Sequence, residues 1–259
     1  MIEIDICPIA LTIGPFELRW YGIMVVLAVI AIISITLLEA KRVGFNQDHI
    51  YNLAIWAVIS AVIFSRVVHV IDQWDYYVQN PGRILSFEGL GVYGAVIGVI
   101  VAIVIYCLVK KLSIWLVADL ISPGALVGMA IGRIGCILNG CCYGLFTNLP
   151  WAVEYTCPDS YAPTGLPMHF TQLYHIIWNM AAFTMLWLLR RRLKPQGSVF
   201  LLYLAFYAAG DLLIRLFREG EPFLFGLQQA QVIGIIILLI TLPWFFIRMW
   251  LYRRKPSVQ

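Results

Sequence analysis

Seven apolar stretches, each about 20 residues long, recur along the chain, and no other feature constrains its fold as tightly. They run over Tyr21–Leu38, Leu53–Ile71, Val92–Val109, Ile114–Leu138, Leu173–Leu189, Val199–Phe217 and Val232–Trp250. A hydrocarbon core roughly 30 Å thick is crossed by about 20 helical residues. Inside it every backbone N–H and C=O must find its partner within the segment, which leaves the helix as the local solution. The 259 residues are 61% hydrophobic and 12% charged, with a mean hydropathy of +0.85, a balance that excludes an ordinary water-soluble domain. The expected fold is therefore all-α, a polytopic membrane protein of about seven transmembrane helices. It reads as a single membrane domain over 1–259, with an extracytoplasmic loop region at about 139–171.

Cation placement sets the expected orientation. Twelve of the 18 Lys and Arg residues lie in the loops after the first, third and fifth stretches or at the C-terminal end: Lys41, Arg42, Lys110, Lys111, Arg190, Arg191, Arg192, Lys194, Arg248, Arg253, Arg254 and Lys255. The opposite side has Arg19, Arg83 and Arg218, so the N-terminus is expected outside and the C-terminus in the cytoplasm. Met1–Glu17 has acids and no basic n-region, and the first helix is expected to serve as an uncleaved insertion signal. The net charge of +4 then reflects topology and contact with anionic membrane lipids, not nucleic-acid binding.

The fourth stretch is the least apolar. It carries Asp119, Ser122, Pro123 and Arg133, and its Gly124, Gly128, Gly132 and Gly135 suit close helix approach. An ionisable side chain at membrane depth is a functional candidate by default. Arg133 sits roughly 7–8 Å inside the outer end of its span, at a rise of about 1.5 Å per residue. From there a guanidinium reaches a lipid phosphate of the outer leaflet. Snorkelling, or an ion pair with Asp119 or Asp211, is the plainer alternative. Tyr207, Asp211, Arg215 and Arg218 share one helical stripe, read either as a self-neutralising Asp211–Arg215 pair or as a second cationic lobe at the same phosphate. Arg66, His69 and Asp72 form a polar face between helices or a proton relay.

Cys107 lies within a span and reads as a small buried hydrophobe, whereas Cys7, Cys136, Cys141, Cys142 and Cys157 fall on or near the outer face. A disulfide from Cys157 to Cys141 or Cys142 stays open, since spacing does not fix connectivity. No recognised ligand spacing points to a metal site. The outer loop Asp72–Gly91 carries Trp74, Tyr76 and Tyr77, and the loop Asn139–Thr171 has no Lys or Arg and reads as an ordered cap.

The string Gly132-Arg133-Ile134-Gly135-Cys136-Ile137-Leu138-Asn139-Gly140-Cys141-Cys142-Tyr143-Gly144, preceded by Ala118-Asp119-Leu120-Ile121-Ser122-Pro123, resembles the signature of prolipoprotein diacylglyceryl transferases. Other segments agree in order: Ile13-Gly14-Pro15 with Trp20-Tyr21-Gly22; Trp74-Asp75-Tyr76-Tyr77 with Asn80-Pro81; His169 with Gln172-Leu173-Tyr174; and Tyr207 with Phe217-Arg218. The resemblance implies an enzyme of the bacterial inner membrane that moves the diacylglyceryl group of phosphatidylglycerol onto the lipobox cysteine thiol of a preprolipoprotein signal peptide, without a cofactor. It assigns Arg133 to the phosphate and Tyr21 and Tyr207 to the cavity wall, and sets Asn139 and Gly144 on signature positions. Arg215 and Arg218 are further candidates for substrate binding.

Departures from the pattern are concentrated near the expected chemistry. Tyr93-Gly94-Ala95 stands where the family usually has His-Gly-Gly, making Tyr93 the candidate to hydrogen-bond thiol or phosphate. An ordinary tyrosine, with a pKa near 10, is a poor base at neutral pH. Cys136 and Cys141 replace the usual Asn and Glu, Asp211 and Arg215 exchange the usual order of acid and base, His175 replaces Glu and Phe170 replaces Pro. Three readings follow: a divergent transferase, a paralogue acting on another lipid-linked acceptor, or a non-enzymatic transport or lipid-binding protein. The last would be expected to show inverted repeats and broken helices at mid-membrane.

Overall fold

The computed structural model describes residues 1–14, 16–84, 91–218, 220 and 222–254. Pro15, the 85–90 part of the first outer loop and Lys255 lie outside the described residues. Helices coincide with every apolar stretch: α1 (Trp20–Val43), α2 (Gln47–Asp72), α4 (Val92–Val109), α5 (Ile114–Asn139), α6 (Thr171–Leu189), α7 (Ser198–Ile214) and α8 (Gln229–Arg254), with a short α3 (Trp74–Gln79) between the second and third. Five of them, α1, α2, α5, α7 with its 3-10 extension, and α8, are long and apolar enough to cross a membrane. The protein is thus a mostly helical, multi-pass membrane protein. Its helices present apolar side chains outward, as Val26 and Ile30 on α1 and Ile55 and Trp56 on α2 do, which suits a surface solvated by lipid.

The chain divides into two compact units, Thr36–Val117 and the remainder, Met1–Ile35 with Ala118–Gln259. Within Thr36–Val117, α2 starts at an Asn46 cap whose side chain accepts from the Asp48 N–H. It packs closely on α4. The Ser60 hydroxyl donates to the Gly98 carbonyl at 2.8 Å and the Ser65 hydroxyl to the Gly91 carbonyl at 2.9 Å. A Cβ at Gly98 would collide with the α2 backbone at Ser60, so only glycine permits this approach. Arg66 is tied to backbone: its Nε and Nη2 donate to the carbonyls of Ile84 (2.8 Å) and Arg83 (2.6 Å), and its guanidinium lies 5.0 Å from the centre of the Tyr77 ring. The side chain ties down the turn after α3.

In the other unit, α5 approaches α1 through its glycine row. A Cβ at Gly124 would meet the Ile32 carbonyl oxygen at 2.9 Å, and one at Gly128 the Ile32 side chain at 2.6 Å. Leu126, Ala182, Leu186 and Val199 form a buried cluster joining α5, α6 and α7. Asp119 is consumed here. Its carboxylate accepts from the N–H groups of Gly197 (2.5 Å) and Phe200 (2.8 Å), capping α7 from another helix.

The loop after α5 folds as an ordered cap and recruits the N-terminal segment, for which the sequence carries no structural expectation. Strand β1 (Ile2–Ile4) pairs in parallel with β4 (Val153–Tyr155), matching Ile2 to Val153 and Ile4 to Tyr155. Ile4, Val153, Tyr155, Ala162, Met168 and Phe170 fill the small core. A hairpin of β2 (Ile9–Ile13) and β3 (Phe16–Arg19) leads into α1, and β5 (Pro222–Leu224) pairs with β6 (Leu227–Gln228) before α8. The open question of Cys157 closes differently from the expectation: its disulfide partner is Cys7, while Cys141 and Cys142 are free thiols. The β1–β4 pairing brings the N-terminal segment alongside the loop, a contact 150 residues distant in sequence that no spacing argument could supply.

Candidate active site

The C-terminal third of α5 supplies the central cation. Arg133 is half-buried, and among the described residues its guanidinium has neither a hydrogen bond nor an ion pair. Both acids that might have neutralised it are engaged elsewhere. Asp119 caps α7, and Asp211 holds Arg215 through a 2.8 Å bond from the arginine Nε. A Cβ at Gly132, beside Arg133, would meet nothing within 4 Å, so that flank is open and Gly132, unlike Gly124 and Gly128, does not serve close helix approach. Gly135 is different: a Cβ there would press on Met24 at 3.0 Å and on the Tyr21 ring at 3.2 Å. It serves contact with α1 rather than ligand access, and it sets Tyr21 beside the arginine's helix, within electrostatic reach of Arg133.

Beyond Asn139 the chain turns sharply through Gly140 and Cys141 to Cys142, which adopts a left-handed φ of 64°. That conformation is costly for a side chain with a Cβ and needs fixing by its surroundings. The start of α6 provides the fixing. Thr171 Oγ1 donates to the Cys142 carbonyl at 2.7 Å, and Gln172 Nε2 donates to the Cys141 carbonyl at 2.8 Å. Hydrogen bonds from the Cys136 and Cys141 thiols, and then the charges of Arg133 and Arg218, hold the Cys142 thiol far below the ordinary thiol range. The Tyr155 phenol, by contrast, is pushed up by burial and by the same three thiols.

Gly144 positions a second cation. Its N–H donates to the His169 carbonyl at 3.0 Å, and the next N–H, of Leu145, donates to the Phe217 carbonyl at 2.8 Å. A Cβ at Gly144 would stand 2.5 Å from that Phe217 oxygen, 2.6 Å from His169 Cβ and 2.7 Å from Thr171 Cγ2. The Phe217 ring packs on His169 and Tyr174 at centroid distances of 5.1 and 5.8 Å. Arg218 follows directly, and like Arg133 it lies within electrostatic reach of both Cys142 and His175. Arg215 does not join it as a free lobe. Its pairing with Asp211, and a longer 3.5 Å bond to Gln228, give the self-neutralised arrangement. Gln228 in turn donates to the Arg218 carbonyl at 2.9 Å. Tyr207 stands on α7 with 38% of its surface exposed. Tyr93 belongs to the other unit, in the first turn of α4, and is 80% exposed.

Among the described residues, three buried polar atoms around the α5–α6 turn lack a partner: Asn139 Oδ1, Gln172 Oε1 and His175 Nε2. Buried polar groups are normally satisfied, and leaving one unpaired costs about 1–3 kcal/mol. Together with the unpaired guanidinium they describe a place built for a polar, anionic guest. Arg133, Arg218, Asn139 and Tyr21 are candidates from the sequence that the structure places around this turn and the end of α5. The sequence does not single out Thr171 or the convergence of Cys136, Cys141 and Cys142, whose sulfurs all lie within 4.8 Å of one another. Spacings of five and one match no common ligand pattern, and only the helix-to-turn reversal brings them together.

Comparison with known proteins places the sequence in a family. A sequence model of the family described as prolipoprotein diacylglyceryl transferase matches residues 8–247. A phosphatidylglycerol–prolipoprotein diacylglyceryl transferase of Dehalococcoides mccartyi is 42% identical over 249 residues, covering 96% of both chains. Proteins of the same name from Trichormus variabilis and Clostridioides difficile are 36% identical over 256 residues and 35% over 230, covering 93% and 88% of this chain and 90% of each relative. This chain is therefore a member of the prolipoprotein diacylglyceryl transferase family.

Proposed function

We propose that this protein transfers the diacylglyceryl group of phosphatidylglycerol to the lipobox cysteine thiol of a preprolipoprotein, releasing glycerol phosphate, as the first step of lipoprotein maturation. The observation that carries the reading is Arg133: a half-buried guanidinium with no partner among the described residues, in a chain of this family. In the reaction the thiolate attacks the glycerol carbon and the C–O bond to phosphate breaks, leaving negative charge on the departing phosphate. A preplaced guanidinium in a water-poor site stabilises that charge as it forms. Arg218 adds a second positive charge, Asn139 and Gln172 offer acceptors to the glycerol hydroxyls, and Tyr21 and Tyr207 line the cavity. Arg215 acts by holding the segment before Arg218, Gly144 by packing beneath it. Tyr93 is a further catalytic candidate from its place in the family's sequence pattern alone.

The proposed setting is the bacterial cytoplasmic (inner) membrane, crossed seven times as a single membrane domain, with the N-terminus and the 139–171 cap outside and the C-terminus in the cytoplasm. The charge asymmetry of the loops supports this orientation. Membrane lipids, phosphatidylglycerol and signal peptides are the partners; nucleic acid is not among them.

Mass spectrometry tests the reading directly. Purified protein, phosphatidylglycerol vesicles and a lipobox peptide are expected to yield a cysteine carrying one diacylglyceryl group. Arg133→Ala is expected to abolish the adduct and Arg83→Ala to leave it. A peptide that stays unmodified with the unaltered protein overturns the proposal, and modification of a different acceptor supplied alongside points to the paralogue instead.

A further inference from the structure

The transfer chemistry described above leaves three thiols without a task. Cys136 lies in the last turn of α5, buried, while Cys141 and Cys142 in the following turn are half-exposed. Their sulfurs lie within 4.8 Å of one another. The frame beneath them is rigid: the Cys141 N–H donates to the Cys136 carbonyl at 3.1 Å, and Thr171 and Gln172 hold the carbonyls of Cys142 and Cys141. Zn–S bonds of about 2.3 Å place tetrahedral thiolates about 3.8 Å apart. Sulfurs already within 4.8 Å of one another reach that spacing by side-chain rotation. Charge also fits. Three thiolates around a divalent cation leave one net negative charge, and the two guanidiniums nearest Cys142 are those of Arg133 and Arg218.

We propose that Cys136, Cys141 and Cys142 bind a Zn²⁺ ion whose fourth position is open to the acceptor thiol of the substrate. The second half of this statement rests on the function proposed above and departs from the cofactor-free expectation drawn from the family resemblance. Its chemical logic is that diacylglyceryl transfer is an S-alkylation, which needs a thiolate, and this chain has Tyr93 where the family usually places a histidine. A thiol that coordinates Zn²⁺ loses its proton outright, so no strong base is required. Its proton passes to solvent. The bound thiolate attacks the glycerol carbon, an S–C bond forms, the C–O bond breaks, and its electron pair leaves with the phosphate oxygen beside Arg133. The thioether product is a poorer ligand than the thiolate and departs. His175 Nε2 and Asn139 Oδ1, buried without partners, are available to hydrogen-bond the incoming group.

The test begins with binding alone. Full-length protein in detergent, purified anaerobically so that Cys7–Cys157 stays oxidised and the trio reduced, is equilibrated with Zn²⁺ and analysed for metal. One ion per chain is expected, and Co²⁺ in its place gives a thiolate-to-cobalt charge-transfer band with tetrahedral d–d absorption. Cys136→Asn and Cys141→Glu, which install the usual family residues, are each expected to remove the band. They should also weaken Zn²⁺ by more than the about 10–100-fold that an outer contact is worth. Cys107→Ala keeps both. No metal uptake by the reduced protein, or a disulfide within the trio in peptide maps of the native protein, overturns the site. Activity then tests the open position: a zinc chelator is expected to suppress transfer and added Zn²⁺ to restore it. Transfer that proceeds equally well after Zn²⁺ removal overturns the role of the fourth position and leaves the transferase reading intact. A cobalt band without transfer to any lipobox peptide overturns the transferase reading and leaves the metal site standing.

Discussion

Among the described residues, Arg133 stands apart from Arg66, Asp119, Asp211 and Arg215 because each of those four is engaged. Arg66 is spent on the carbonyls of Arg83 and Ile84, Asp119 on the start of α7, and Asp211 and Arg215 on each other. What remains is a guanidinium whose plane and fixed donors match a phosphate, a match that an ammonium group reproduces poorly. Arg133→Lys is therefore expected to keep the fold and the positive charge yet lower kcat by about 10²–10³, the scale of a lost donor to developing charge. Steady-state kinetics on the lipobox peptide would measure it, and near-normal turnover would mean that charge alone suffices. Gly144 is argued on sterics: Gly144→Ala must push the Phe217 carbonyl, and Arg218 with it, out of place. The expected outcome is a raised KM for phosphatidylglycerol together with a lowered Tm, whereas Gly132→Ala, with open space beside it, leaves Tm unchanged. Tyr93→Phe is expected to reduce turnover about tenfold or more if its hydroxyl takes part in proton or charge transfer. Unchanged kinetics would assign the 80% exposed ring to the lipid-facing surface.

At the scale of elements, legibility followed the physics of each signal. Helices were readable because a bilayer demands long apolar runs, and α4 matches its expected bounds of Val92–Val109. Helix ends were less readable: α8 extends to Gln229 and Arg254, past the apolar stretch, since a helix continues into the headgroup region where polar side chains snorkel. The strands were not readable at all. β1 is three residues long and gains its partner from β4, so its pattern carries no period of its own. Asp119 illustrates a signal that was visible but ambiguous, a half-buried acid whose partner is backbone. Removing it should leave the α7 N-terminus unsatisfied, and Asp119→Ala is expected to cost about 0.5–2 kcal/mol, read as a fall in Tm in detergent. Asp119→Asn, which keeps an acceptor oxygen, should recover part of the loss. If both variants melt like the unaltered protein, the cap contributes nothing and the acid needs another explanation.

For the molecule as a whole, two independent features support the orientation proposed above. Basic groups fill the last turns of α1 and α8 and the segments after α4 and α6, and Lys and Arg resist translocation. The cap carries the Cys7–Cys157 disulfide, a bond that persists in an oxidising compartment and not in the cytoplasm. A fluorescent protein that matures only in the cytoplasm, fused after α8, is thus expected to glow, while a periplasm-dependent phosphatase fused at the same point stays inactive. In intact cells, limited proteolysis from outside should cut the 145–165 region of a Cys7→Ser variant faster than that of the unaltered protein, because β1 then holds the cap only through its pairing with β4. The reverse reporter pattern would put the phosphate clamp on the cytoplasmic side, where a secreted lipoprotein's cysteine does not arrive, and the proposed reaction would lose its acceptor.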